Sequence, residues 1–334
     1  MVWGAGFFAR KWLEALRARE EWRVAGIVSR SPARLEALRR DLGLPGVPGY
    51  PTVDEALQQG DADAVIVALP QALHRDAVVK ALDRGWHVLV EKPLATTMAD
   101  GRAILQATRA RPDRVVMVNQ NFRWRPHTLA LARAVREGAI GRPAHVTLEC
   151  RQQIRRTTVD GWREQMAEPY LLDFAVHHFD LLRWVTGDEP REVVATSFRP
   201  AWSWLAGNSA AAAILTTATG CVVGYGGTMV AQGFETPQEG LITVSGERGT
   251  LHLDAASRVL LAAGGATREL PGEPVPEGEL GRGLAQFVAA IRTGRLPDTH
   301  VGDNIHTFAL LMAAVESARA RRPVRVADLL PDAT

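Results

Sequence analysis

The chain has 334 residues, 46% of them apolar and 23% charged, and a formal net charge of +2. This length and composition predict an ordinary globular protein of two domains. No run of like charge reaches five and no basic stripe is interleaved with aromatics, so nucleic acid is not expected as a partner; no apolar run spans a bilayer, so neither is a membrane. Cys150 and Cys221 offer neither a disulfide framework nor metal-ligand spacing, and the start lacks a basic-then-apolar leader, so a cytoplasmic setting is the expectation.

Gly4-Ala5-Gly6-Phe7-Phe8-Ala9 fits G-x-G-x-x-G/A and runs into a helical pattern over residues 8–16. In that fingerprint the first glycine permits a tight turn and the second lets a pyrophosphate approach the backbone. The third small residue lets the helix pack closely, and the phosphates sit on its N-terminus. Only Met1-Val2-Trp3 precede Gly4, so the first strand is expected to be a stub or its start to be trimmed. An apolar strand over 24–28 ends in Ser29-Arg30-Ser31-Pro32, where a carboxylate would hold the ribose hydroxyls of NAD. No carboxylate is present. The Ser29 hydroxyl and Arg30 guanidinium suit a 2′-phosphate, which points to NADP with NAD as the alternative; a mere surface role for Arg30 is the lesser alternative. Ser31 is expected to cap the next helix, with Pro32 at its first position.

A buried strand over 63–69 has Pro70 and His74 just past its end, and a helix over 71–84 leads to a strand over 86–90 and then to Glu91-Lys92-Pro93. His74 either touches the nicotinamide end of a cofactor or caps and packs a helix. Lys92 is one of three lysines in a chain that otherwise uses arginine. At the carboxyl end of a strand, where open α/β sheets bind ligands, a titratable amine is suited to chemistry; capping a surface carboxylate is the equal alternative. Thr97-Met98-Ala99-Asp100 resembles a capping box opening a helix to residue 109, and 114–118 forms a last strand. Strands and helices alternating at this spacing predict right-handed crossovers and a doubly wound parallel sheet.

After residue 120 the alternation changes. A helix over 126–137 ends at Gly138, and Gly141-Arg142-Pro143 turns into a strand over 144–150. A polar loop with Trp162 leads to an amphipathic helix over 171–186. Runs at 191–198, 210–217, 221–226, 241–245 and 250–253 read as antiparallel strands parted by turns, and helices over 280–293 and 301–321 close the chain. The second half is therefore α+β on a large, mostly antiparallel sheet, and such a broad face suits an oligomer. In Asp173-Phe174-Ala175-Val176-His177-His178-Phe179-Asp180 helical spacing puts Asp173, His177 and Asp180 on one face, and turns His178 about 100° away to cap or pack. A carboxylate able to orient an imidazole is what general acid–base work near neutral pH requires. A surface ion pair competes with that reading, and a metal site lacks further ligands, so no metal is expected.

Together, GAGxxA at residues 4–9, Glu91-Lys92-Pro93, Arg123 with Pro126, Gly138-x-Ile140-Gly141 and Asp173-x3-His177-x2-Asp180 resemble, over nearly the whole chain, the family of glucose–fructose oxidoreductase, inositol dehydrogenase and the rhizopine-catabolism oxidoreductases (Gfo/Idh/MocA). The order and spacing of the last four are specific; the glycine motif alone is not. Departures are the short first strand, Ala175 where a glycine is common, and Glu168-Pro169-Tyr170 in place of a glycine-rich approach to the helix. The resemblance implies a dinucleotide-binding Rossmann domain over 1–120 and a substrate-binding and oligomerisation α+β domain over 121–334, assembled as a homodimer or homotetramer. It implies a cofactor site at Gly4, Gly6, Phe7, Phe8, Ala9, Ser29, Arg30, Pro70, His74, Glu91 and Lys92. Lys92 would hydrogen-bond the reacting hydroxyl, His177 would take its proton as hydride leaves for the nicotinamide, and Asp173 would hold His177 or the substrate. Family members often have a cis bond before the proline of Glu91-Lys92-Pro93. Their substrates are mainly sugars, cyclitols and related polyols, so Trp162, Trp202 and Trp204 would stack on a sugar ring unless buried, and Arg123, Arg155 and Arg156 would read a carboxylate or phosphate unless solvated. Two rivals stand beside this reading: a reductase of other carbonyl or dihydrodiol substrates on the same scaffold, and a non-catalytic nucleotide-sensing regulator.

Overall fold

Short apolar runs, each followed by a helix, build the first sheet. The computed structural model describes residues 1–156 and 161–330. Strands β1 (Val2–Trp3), β2 (Ile27–Val28), β3 (Gly49–Tyr50), β4 (Ala64–Val67), β5 (His87–Val90) and β6 (Val116–Val118) lie parallel in the order β3-β2-β1-β4-β5-β6. The helices among them are α1 (Phe7–Arg17), α2 (Pro32–Asp41), α3 (Val53–Gln59), α4 (His74–Asp83) and α5 (Met98–Arg109). Every residue of β4, β5 and β6 is buried, as in a sheet covered on both faces. Strand order reverses between β1 and β4, which puts the ligand crevice outside their carboxyl ends. The caps fall where the side chains predict: Ser31 accepts from the Arg34 N–H at 3.3 Å, and Thr97 from the Asp100 N–H at 3.2 Å. Strand β1 is a stub of two residues, yet it pairs with β2 on one side and β4 on the other. The strands expected at 24–28 and 63–69 keep only their middles or ends, and the helix expected over 71–84 opens with a separate 3₁₀ turn, Gln71–Leu73.

The second sheet holds nine strands: β7 (Pro143–Arg151), β8 (Pro190–Phe198), β9 (Ala210–Thr217), β10 (Val222–Thr228), β11 (Leu241–Gly246), β12 (Gly249–Leu253), β13 (Val259–Ala263), β14 (Ala266–Leu270) and β15 (Val324–Arg325). Their order is β14-β13-β12-β11-β7-β10-β9-β8-β15, with β7 and β10 parallel and the other neighbours antiparallel. Along β7 the side chains of Val146, Leu148 and Cys150 are buried, while Thr147 and Glu149 are exposed, the period-2 pattern of a sheet with one open face. Helices α6 (Pro126–Arg136), α7 (Gly161–Glu164), α8 (Val176–Thr186), α9 (Gly278–Thr293) and α10 (Val301–Ala320) complete the chain, and a π-helical turn (Tyr170–Ala175) runs directly into α8.

The chain divides into two compact units: Met1–Gln120 with Glu277–Ile305, and Asn121–Pro276 with the described residues from His306 on. The expected single cut at residue 120 therefore needs a correction, because α9 and its flanks group with the first unit. The Trp22 ring stacks on Phe287 at 6.3 Å, the Arg19 guanidinium donates to the Gly281 carbonyl at 2.9 Å, and the Val118 N–H donates to the Thr299 carbonyl at 3.0 Å. No helix among the described residues is long and apolar enough to cross a membrane.

Candidate active site

In the first unit the loop after β1 is shaped by two glycines with different reasons. Gly4 has φ +124°, and a Cβ there would lie 2.4 Å from the Ala68 carbonyl oxygen at the end of β4. Gly6 caps α1, and a Cβ there would meet nothing within 4 Å. Helix α1 has neither a side-chain cap nor an acidic residue in its first turn. The first-turn N–H groups of Phe7, Phe8 and Ala9 have no intrahelical acceptor and the dipole favours an anion there. Ala9 is wholly buried and lets the helix pack, whereas Phe7 is exposed. Open space over Gly6 in front of uncapped N–H groups fits a dinucleotide pyrophosphate.

The other expected cofactor contacts separate into those that face outward and those committed within the unit. Arg30 is exposed beyond β2, and Pro70 is exposed beyond β4. Ser29 is instead turned into its own loop: its hydroxyl donates to the Ser31 carbonyl at 3.0 Å and accepts from the Ser31 N–H at 3.2 Å. His74 is buried, with Nδ1 3.0 Å from the Pro93 carbonyl and Nε2 3.0 Å from the Leu69 carbonyl, so it ties two loops together rather than facing a nicotinamide. Burial also holds its pKa down. Glu91 is likewise committed within the unit. Its Oε1 accepts from the Trp12 indole at 2.7 Å and from the Asn119 amide at 2.9 Å, in a site where burial pushes its carboxyl up against the opposing pull of these donors and of Lys92. Glu91 thus bolts α1 to the ends of β5 and β6, and Lys92 follows it, nearly buried, through a cis bond to Pro93.

In the second unit α8 carries His177, His178 and Asp180, all buried. Asp173 lies in the π-helical turn before it, where its Oδ2 accepts from Arg163 Nε at 3.0 Å. The Arg163 guanidinium also sits over the half-buried Trp162 ring, 4.3 Å from its centroid. Arg123 is not placed to read a substrate: Nε and Nη2 hold the two oxygens of Asp180 at 2.6 and 2.7 Å, both side chains are buried, and Thr307 Oγ1 donates to the same carboxylate at 3.0 Å. Asp180, expected to share the face of His177, is consumed by that pair. His178 packs as expected, with Nδ1 2.9 Å from the Tyr225 hydroxyl and Nε2 2.8 Å from the Gln238 carbonyl; the Tyr225 and Tyr170 hydroxyls are 2.8 Å apart. Of the indoles, Trp202 donates to the Val230 carbonyl at 2.9 Å while 62% exposed, and Trp204 donates to the Ile154 carbonyl at 3.1 Å. Arg156 pairs with Glu164 at 2.8 Å on the surface.

Sequence reasoning missed several residues around His177. The Phe122 ring lies flat against the imidazole, centroids 4.1 Å apart at 11°, and the Arg125 guanidinium lies 3.7 Å from the Phe122 centroid. Arg125 and His127 both pair with Glu239, which is 2% exposed. Burial alone would raise the Glu239 carboxyl, but His127 and Arg125 hold it down to about 2. Only Arg125-Pro126 carries a signal in the sequence, as a charged N-cap before a helix-starting proline; nothing marks Glu239, 114 residues away from Arg125.

A parallel sheet with a phosphate cradle after β1 and a lysine past the end of β5, on a chain with a second α+β unit, defines a dinucleotide-dependent oxidoreductase of two-domain type. Residues 1–120 match the Gfo/Idh/MocA oxidoreductase family, NAD-binding Rossmann fold, and residues 128–252 match the C-terminal domain of the same family. The chain belongs to the Gfo/Idh/MocA family of sugar and cyclitol oxidoreductases and is an enzyme of the dehydrogenase/reductase class. It is similar to a D-apiose dehydrogenase of Paraburkholderia graminis, 29% identical over 99% of this chain and 90% of that one. It is also similar to an inositol 2-dehydrogenase of Arthrobacter sp., 32% identical over 50% of this chain and 47% of the other. Its fold matches that of an oxidoreductase from Agrobacterium radiobacter solved with NAD+, L-tartaric acid and magnesium, with a TM-score of 0.90, 24% identity and 98% of both chains covered.

Proposed function

We propose that the protein is an NADP(H)-preferring, cytoplasmic oxidoreductase that moves hydride between nicotinamide and a secondary hydroxyl or ketone of a sugar, cyclitol or related polyol. The observation that supports this reading is that the Gly4–Gly6 loop, the exposed Arg30 and Lys92 follow the carboxyl ends of β1, β2 and β5, the edge at which open parallel sheets bind ligands. Bound nicotinamide supplies the hydride acceptor or donor. Lys92 donates a hydrogen bond to the reacting oxygen and makes a hydroxyl there more acidic. His177 takes the proton at a ring nitrogen as the alcohol is oxidised and returns it in reduction. Asp173, steadied by Arg163, orients His177 or the substrate. The half-buried Trp162 ring would stack on a sugar ring. The open face of the second sheet bears the exposed Val194, Ile214 and Val222 and serves homodimer or homotetramer assembly.

The test is a turnover screen of polyols and keto-sugars with both nucleotides, repeated on Lys92→Ala and His177→Ala. Each substitution is expected to lower kcat by about 10²–10⁴-fold with nucleotide Kd little changed. Undiminished turnover in either variant overturns that residue's role.

A further inference from the structure

We infer that Phe122 and Arg125 are positioning residues that fix the plane of the His177 imidazole, an inference that rests on His177 acting as the proton acceptor. Phe122 lies in the 3₁₀ turn Asn121–Trp124, ahead of α6. Its ring has the imidazole on it at 4.1 Å and the guanidinium carbon at 3.7 Å, and two planar groups that close cannot share one face. Phe122 is therefore the middle leaf of a three-layer stack, guanidinium, phenyl and imidazole.

Each outer constraint on the stack is itself anchored. Thr128 Oγ1 donates to the Phe122 carbonyl at 2.6 Å, which holds the backbone under the ring. The Arg125 guanidinium is held by the Glu239 carboxylate and by Gln238 Oε1 at 3.2 Å. The stack thus ends on a buried carboxylate that His127 also clamps, so the guanidinium cannot swing away without leaving a charge unpaired. At its other end the imidazole gains what a histidine side chain lacks. Its χ2 torsion is broad and two-fold, so helix packing alone does not aim a ring nitrogen. A flat neighbour at 4.1 Å confines the ring to one plane and leaves only the 180° turn that exchanges its two edges. A proton acceptor works only when its lone pair points at the proton to be taken.

The test separates a held plane from mere packing. Phe122→Leu keeps apolar bulk and removes the flat face; kcat is expected to fall about 10–100-fold with nucleotide Kd and substrate KM changed less than about twofold. Phe122→Tyr, which keeps the face, recovers most of the rate. Arg125→Met gives the same kind of loss, and Arg125→Lys does not rescue it, because a point charge has no plane to stack. Independently of turnover, NMR spectra of the histidine ring protons, with His177→Ala identifying the resonance, should show the His177 ring shifted upfield by the stacked phenyl in the native protein and that shift lost in Phe122→Leu. Native kcat in Phe122→Leu and Arg125→Met, equal losses in Phe122→Tyr and Phe122→Leu, or unchanged His177 spectra overturn the inference. Full activity in His177→Ala overturns instead the role of His177, while the spectra still report whether Phe122 holds the ring.

Discussion

Arg30 stands exposed past β2 and makes no hydrogen bond or ion pair among the described residues. With the Ser29 hydroxyl spent on its own loop, the proposed preference for NADP(H) rests on this one guanidinium, whose charge-assisted hydrogen bonds to a 2′-phosphate would have no counterpart in NAD. Arg30→Ala is expected to lower the NADPH/NADH affinity ratio by about tenfold or more, read by tryptophan-fluorescence titration with each nucleotide. An unchanged ratio would show that Arg30 does not read the phosphate. Glu91 makes a contrasting prediction. Its buried carboxylate accepts from the neutral Trp12 and Asn119 donors and also feels the Lys92 charge. Glu91→Gln keeps the acceptor and gives up that attraction, but burial is the larger influence on this carboxyl, so Tm should hold or rise. Glu91→Leu leaves the Trp12 and Asn119 donors unsatisfied and is expected to cost about 2–4 kcal/mol in denaturant titrations.

The helix that carries His177 stands on a footing of aromatic hydroxyls. Tyr170 opens the π-helical turn, meets Tyr225 on β10, and Tyr225 meets His178. Room for the Tyr170 hydroxyl exists because residue 227 is glycine: a Cβ there would lie 1.7 Å from it. A rigid ring cannot step aside as a long side chain would. Gly227→Ala is expected to cost about 1–3 kcal/mol of stability and to lower kcat as well, because the displaced turn also bears Asp173. An alanine variant with native Tm and kcat would deny that footing any role. This is also the element the sequence described least well. The spacing of Asp173, His177 and Asp180 assumes an unbroken α-helix, whereas the first of them sits in a wider turn and the last is locked to Arg123. A π turn leaves no periodic mark in so short a stretch.

For the molecule as a whole, part of the loss of stability in acid should trace to Glu239. Its carboxyl titrates at about 2 in the fold against 4.5 as the ordinary value, so its contribution is complete above pH 4.5 and drains away as pH falls toward 2. Glu239→Gln should therefore be less stable at neutral pH and should flatten the fall in stability between pH 4.5 and 2, followed by urea titration at each pH. Assembly is the second prediction at this scale: Ile214→Arg on the open sheet face should lower the mass measured by light scattering, and an unchanged mass would move the contact elsewhere. Strand–helix alternation made five strands of the first sheet legible because they are mostly apolar, while the two-residue β3 was missed; the alternating faces of β7 to β12 were legible for the complementary reason. The β13–β14 hairpin was not, since β14 is exposed along most of its length and carries no contrast between faces. The placement of α9 was hidden too: an amphipathic face announces that it will be buried without naming its partner.

Cys150 and Cys221 are both free and buried, both belong to the second unit, and burial pushes the Cys150 thiol up to about 12. A thiol in that state is nearly inert to alkylation, because the thiolate is the reactive form. The protein therefore carries its own clock for opening. Maleimide uptake in mild denaturant counts excursions of one unit alone, and comparing it with loss of circular dichroism from both would show whether the chain comes apart in one event or two.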